Sequence, residues 1–181
     1  MSRRRWALLA VLGTGLTAAC TAAQPGPETS TAVKEWTRVS SPKSVNKDFR
    51  VSPCETLTEA ERRDLGLPSP PTASAQADPA GCTWRDQDGG TAVLVELDPL
   101  SLAQRYDREP DSAGVSVVKV AGYPAVRAQE GGDGRGCEFR IGVSATEALH
   151  VAFSAPKAVP DACGRAQRVA EAVIGKLPAG S

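Results

Sequence analysis

The chain has 181 residues, 41% of them apolar, with 21 basic and 21 acidic residues and a formal net charge of zero. That length supports one domain with its own core, and a balanced charge with no basic stripe interleaved with aromatics excludes a polyanion-binding surface and nucleic acid as a partner. Three of the arginines stand together near the N-terminus; without residues 1–19, 18 basic residues face 21 acidic ones, a net charge of −3.

Arg3-Arg4-Arg5, an apolar run from Trp6 to Leu16 and the small residues Thr17-Ala18-Ala19 are ordered as a secretory signal, and the run is too short to be a membrane span. Cys20 follows at once. The segment resembles the bacterial lipobox, in which that thiol receives a diacylglycerol, the signal is cut before the cysteine and the new terminus is acylated. Thr17 stands where the pattern prefers an aliphatic residue, with Leu16 one place earlier. The resemblance implies residues 1–19 as signal peptide, Cys20 as the lipidation (palmitate) site, and a cell-membrane lipoprotein held on the outer face through its lipid. Two or more acyl chains anchor stably where one is marginal.

Residues 20–47 are rich in Thr, Ala, Pro and Ser and poor in large apolar side chains, which reads as a flexible tether, and residues 48–181 read as the single globular domain. Trp36 is the exception inside the tether; docking on the domain, contact with the membrane interface and simple exposure are all open to it. Thr58 and Glu61 form a capping box for a short helix ending at Gly66, and a Pro/Ser/Ala loop runs from Pro68 to Ala80. Cys82–Arg85 and Thr91–Leu97 read as strands joined by an Asp86–Gly90 hairpin turn. Asp98-Pro99 is expected to open a helix carrying Leu102, Ala103 and Tyr106. Val115–Val120 and Tyr123–Ala128 read as strands split by Ala121-Gly122, with Pro124 suited to an edge or a bulge. After the glycine-rich turn Gly131–Gly136 come strands over Cys137–Val143 and Ala148–Phe153. A closing helix over 161–177 places Ala162, Ala166, Val169, Ala170, Val173, Ile174 and Leu177 on one face. The expected fold class is α+β, an antiparallel sheet with packed helices.

The even set Cys54, Cys82, Cys137 and Cys163 in an exported chain reads as a disulfide framework. Three connectivities are open, and proximity along the chain favours Cys54 with Cys82 and Cys137 with Cys163. A zinc site would want a C-x-x-C pair, and there is none. Asp86, Asp88 and Gly89 recur in calcium loops, but the twelfth position from Asp86 is Leu97 and not a glutamate, so the turn reading holds. The lone histidine, His150, reads as a surface or core residue; no cofactor or metal motif is marked. Glu55, Glu59 and Asp86 are the carboxylates from which an envelope hydrolase could assemble a pair. Trp84 and Tyr123 are the weak candidates for ligand or partner contact, with Trp84 better suited to packing on a disulfide.

Pro53-Cys54 with Leu57-Thr58, Gly81-Cys82-Thr83-Trp84, Val120-Ala121-Gly122-Tyr123-Pro124-Ala125, Cys137, and Cys163 leading to Ala170-Glu171 together resemble the small actinobacterial lipoproteins grouped as a domain of unknown function. The element order is similar to the Mog1/PsbP-type α/β sandwich. The resemblance implies an extracytoplasmic envelope protein with no assigned activity. A non-enzymatic binding or accessory role toward a partner protein or a hydrophobic or cell-wall ligand is the expectation, with the hydrolase as the alternative.

Overall fold

Alternation of side chains along the strands sorts this domain into two unlike faces. The computed structural model describes residues 35–45, 47–68, 70–73, 80–88, 90–98, 100–108, 114–129 and 134–180. The signal, Cys20, the tether up to residue 34, and Gly131–Asp133 of the glycine-rich turn lie outside them. In chain order the elements are α1 (Lys47–Val51), a 3-10 turn (Pro53–Thr56), α2 (Glu59–Asp64), β1 (Pro71–Ala73), β2 (Gly81–Arg85), β3 (Ala92–Asp98), α3 (Leu102–Arg108), β4 (Val115–Val120), β5 (Tyr123–Ala128), β6 (Gly136–Gly142), β7 (Ala148–Ser154) and α4 (Ala162–Lys176). The strands form one seven-stranded antiparallel sheet in the order β1-β2-β3-β7-β6-β5-β4. The domain is α+β. No helix among the described residues is long and apolar enough to cross a membrane.

Odd-numbered positions of the central strands point to one face. Val93, Val95 and Leu97 of β3, Leu149, Val151 and Phe153 of β7, and Cys137, Phe139 and Ile141 of β6 are buried there with the apolar side of α4. That side is Ala162, Ala166, Val169, Ala170, Val173 and Ile174, the stripe expected from helical spacing. Asp161 caps the helix, accepting a hydrogen bond from the Gly164 amide at 3.0 Å. Phe49, Leu57 and Trp84 join the same core, Leu57 fully buried. Cys54 is bonded to Cys82 and Cys137 to Cys163, with Cα atoms 5.0 and 4.9 Å apart, so the 3-10 turn is tied to β2 and α4 to β6. All four sulfurs are thereby used, which removes them as metal ligands.

Four local expectations are refined. The helix after β3 is capped not by Asp98 but by Ser101: the Gln104 amide donates to Ser101 Oγ at 3.3 Å and the Ser101 amide to Gln104 Oε1 at 3.0 Å. This is a reciprocal capping box written in the sequence as Ser-x-x-Gln. Pro71–Ala73, inside the expected loop, pairs as a short edge strand on β2, where a proline at the strand's first residue forfeits little. Pro124 lies in a strand with neighbours on both sides, yet the β6 ladder begins only at Ala125, so its missing N–H breaks no bond there. The turn joining β4 to β5 has positive φ at both Ala121 (49°) and Gly122 (83°), the twist that a two-residue hairpin needs.

The folded part also reaches back into the segment read as tether. Trp36 docks: its ring meets Tyr106 of α3 edge-on, with centroids 5.0 Å apart. Further along, Lys43 pairs with Ala179 in a single antiparallel bridge, and Val45 is buried.

Candidate functional site

The face opposite α4 carries the polar chemistry. Even-numbered positions point there, and the register lines them up in rows across neighbouring strands: Arg140 opposite His150 opposite Glu96, and Glu138 opposite Ala152 opposite Leu94. His150 is the centre. Its Nδ1 lies 2.8 Å from Glu96 Oε1 and its Nε2 lies 2.8 Å from Glu138 Oε2. The ring is only 10% exposed and the two carboxylates about a quarter exposed, 25% and 26%.

Between two ionised carboxylates that geometry favours the protonated ring. A neutral imidazole has one N–H, so one of its two contacts would set lone pair against lone pair at hydrogen-bonding distance; an imidazolium donates from both nitrogens. Burial pulls the His150 pKa down, but the hydrogen bonds to Glu138 and Glu96 outweigh it and raise the value above the usual 6.5, with Arg140 opposing. The same bond from His150 holds the Glu138 carboxyl below its usual range, against burial and with help from Arg140 and Arg105.

Beside this triad sits Asp98, at the end of β3, with a side chain wholly removed from solvent. Arg105 Nη2 donates to Asp98 Oδ1 and Arg140 Nη1 to Oδ2, both at 2.8 Å, and the Leu100 amide adds a third bond at 3.0 Å. Burial pushes this carboxyl up; the bonds from Arg105, Leu100 and Arg140 more than reverse it, and the net direction is down. Three carboxylates therefore face two guanidiniums and one imidazolium, a network balanced in charge. Close packing holds it in place. A Cβ on Gly81 would come within 2.7 Å of Glu96 Cβ, so only glycine lets β2 run this close to Glu96. At the Asp98 end, Leu102 of α3 covers Gly142 of β6.

Alongside the triad runs an open groove of about 300 Å³ lined by Thr83, Arg85, Leu94, Ala152, Glu138 and His150. Its floor is apolar, and at one end it carries the His150 ring, whose bonds to Glu96 and Glu138 favour the charged form, flanked by those half-buried carboxylates. Such an arrangement can orient a ligand that has both an apolar body and a polar end.

The residues singled out from sequence fall elsewhere. Trp84 is 1% exposed in the core, where its indole N–H has no partner among the described residues, so it is not available for surface contact. Tyr123 is half-buried and its hydroxyl donates to the Ser41 carbonyl at 2.8 Å, which binds the N-terminal segment. Glu55 is exposed on the 3-10 turn, Glu59 pairs with Arg63 one helical turn on, and Asp86 accepts from the Gly90 and Thr91 amides within its own hairpin. Glu59 and Asp86 are thus engaged locally, and the three carboxylates do not share a cleft. Of the groups that do converge, Glu96, Asp98, Glu138 and Arg140 carry a signal in the sequence only as polar residues at alternate positions of β3 and β6, and Arg105, on α3, carries none.

Protonation of His150 couples to folding. Its folded pKa is raised, so its contribution is fully present below about pH 6.5, the unfolded value, and is lost as pH rises through the folded pKa. We expect the urea midpoint of the wild type to fall as pH is raised from 6 to 9, and His150→Gln to remove that slope. A slope unchanged by the substitution would mean that the ring is not charged in the fold.

A family model described as a protein of unknown function, DUF3558, matches residues 15–176. No curated protein and no solved structure matches the chain.

Proposed function

Since the chain belongs to the DUF3558 family, whose description carries no activity, we propose from the domain itself that this is a membrane-anchored extracytoplasmic lipoprotein with a non-enzymatic binding role. Its ligand is a hydrophobic or cell-wall molecule, or a segment of a partner protein, seated in the groove between Leu94 and His150. The observation that carries the reading is the pair of disulfides, each tying a helical element to the sheet. Disulfides of this kind persist in an oxidising compartment outside the cytoplasm, and the arginine-led segment ending at Cys20 is the sequence device that would take the chain there and hold it.

The binding half of the reading is supported by how the polar groups are spent. Carboxylates, guanidiniums and imidazolium bond to one another and stay fixed, which suits recognition of a shape and a polar end. The groove floor, Leu94 and Ala152, remains half-buried and apolar beside them.

Two measurements test it. Wild-type protein from its own envelope is expected to partition into the detergent phase, and Cys20→Ala into the aqueous phase; equal partitioning would end the anchoring claim. A photo-crosslinking residue at Leu94 should capture a ligand or partner in the envelope, and Ala152→Trp, which fills the groove, should abolish capture while leaving the melting transition in place. If the Leu94 probe captures nothing, the groove is not a binding site.

A further inference from the structure

The N-terminal segment 35–45 does more than join tether to domain. It is strapped across one end of the sheet, and its bonds come from four separate places. Tyr123 at the start of β5 holds Ser41; the Lys43 amide donates to the Val143 carbonyl at 2.8 Å in the β6–β7 turn. Lys43 Nζ reaches the Leu177 carbonyl at the end of α4 at 2.9 Å, and the Val45 amide donates to Glu147 Oε2 at 3.0 Å. Pro42 and Ser44 exchange backbone bonds with Gly180 and Pro178. The β4–β5 turn, the β6–β7 turn, the start of α3 and the C-terminal end of α4 all lie at this end. The β2–β3 hairpin and the β7–α4 loop lie at the other.

We propose that the strapped end is the face of the domain that lies against the lipid headgroups. The proposal rests on the reading of Cys20 as the lipid anchor. The described chain begins at Glu35, fifteen residues from Cys20, which span at most about 50 Å even fully extended. A domain of this size is about 38 Å across. Bringing the β2–β3 hairpin end to the bilayer would stretch those residues over most of their reach, with a corresponding loss of chain entropy; the strapped end can approach with the segment unstretched. Had the tether run to residue 47, twelve more residues would have left either end free to approach.

The surface at that end suits a bilayer. Exposed there are Glu35 and Arg38 of the strap, the small residues Ala121, Gly122, Ala145 and Thr146, and a concavity of about 290 Å³ between the strap, Leu102 and Ser144. Glu147 is already bonded to Arg50 and to the Val45 amide. At the opposite end Asp86, Asp88 and Asp161 stand among the exposed cations Arg85, Arg135 and Lys157, so charge does not set the two ends apart and the reach of the chain from Cys20 carries the orientation.

The test uses the full-length, acylated protein on phosphatidylglycerol/phosphatidylcholine vesicles carrying a headgroup-linked energy-transfer acceptor. A fluorescent non-natural residue is placed at Ala145 or at Lys157, at opposite ends of β7. Transfer is expected to be at least twofold more efficient from 145 than from 157, and a second pair, Thr146 against Asp88, repeats the comparison at independent positions. Equal transfer, or stronger transfer from the 157 and 88 positions, overturns the orientation while leaving the anchor intact. Vesicle binding that does not depend on Cys20, tested with Cys20→Ala, overturns the anchoring reading instead.

Discussion

Asp98→Ala is expected to destabilise the domain by about 3–5 kcal/mol, the cost of breaking a buried ion pair from one side. The carboxylate is wholly buried and receives three hydrogen bonds; its removal leaves Arg105 and Arg140, each only about one-fifth exposed, as adjacent like charges. Partial rehydration of those guanidiniums sets the lower end of the range. The substitution also changes the acid limb. Because the folded pKa of Asp98 is depressed, its contribution is present above its unfolded value near 3.8 and is lost as pH falls through the folded pKa. Urea titrations at pH 3, 4 and 6 should therefore show the wild-type advantage over Asp98→Ala shrinking toward the lowest pH. A loss below about 1 kcal/mol at pH 6 would show that the pair is as weak as an exposed one.

Removing the bridge between β6 and α4 should cost almost as much. The Cys137–Cys163 bond closes a loop of 26 residues, worth about 3.5 kcal/mol from loop-closure entropy alone. The double substitution Cys137→Ala with Cys163→Ala keeps both sites small and apolar, so the loss it reports is mainly that of the cross-link. A similar cost, about 3.5 kcal/mol, is expected for the 28-residue loop closed by Cys54 and Cys82. Chemical denaturation with and without a strong reductant, read by tryptophan fluorescence, measures both; midpoints that coincide would show that the bridges contribute nothing to the fold. Trp84, two residues from Cys82 and buried in the core, is the natural reporter.

Local signals carried a long way along this chain. The capping box at Thr58, the stripe on α4, the strand alternation and the two cysteine pairs all appear in the structure, because each depends on residues within a few positions or, for the cysteines, on neighbours in chain order. The helix start at Ser101 was legible too, as Ser-x-x-Gln, but Asp98-Pro99 offered a competing cap. Asp98 was drawn away to two arginines, one of them on another strand.

The amino-acid sequence by itself determined the parity of Glu96, Asp98, Glu138, Arg140 and His150: side chains alternate with period two, so polar residues at even positions must share the face away from the apolar odd ones. It could not determine that they would meet. The meeting depends on β7 entering the sheet between β3 and β6, the order that seats Leu149, Val151 and Phe153 at the centre of the core under α4. That choice is made by burial of apolar surface across positions more than fifty residues apart, Val95 against Val151 among them. The same holds for the strap: residues 35–45 are too polar to announce themselves as folded, and they are held by carbonyl and amide groups that only the finished end of the sheet brings together.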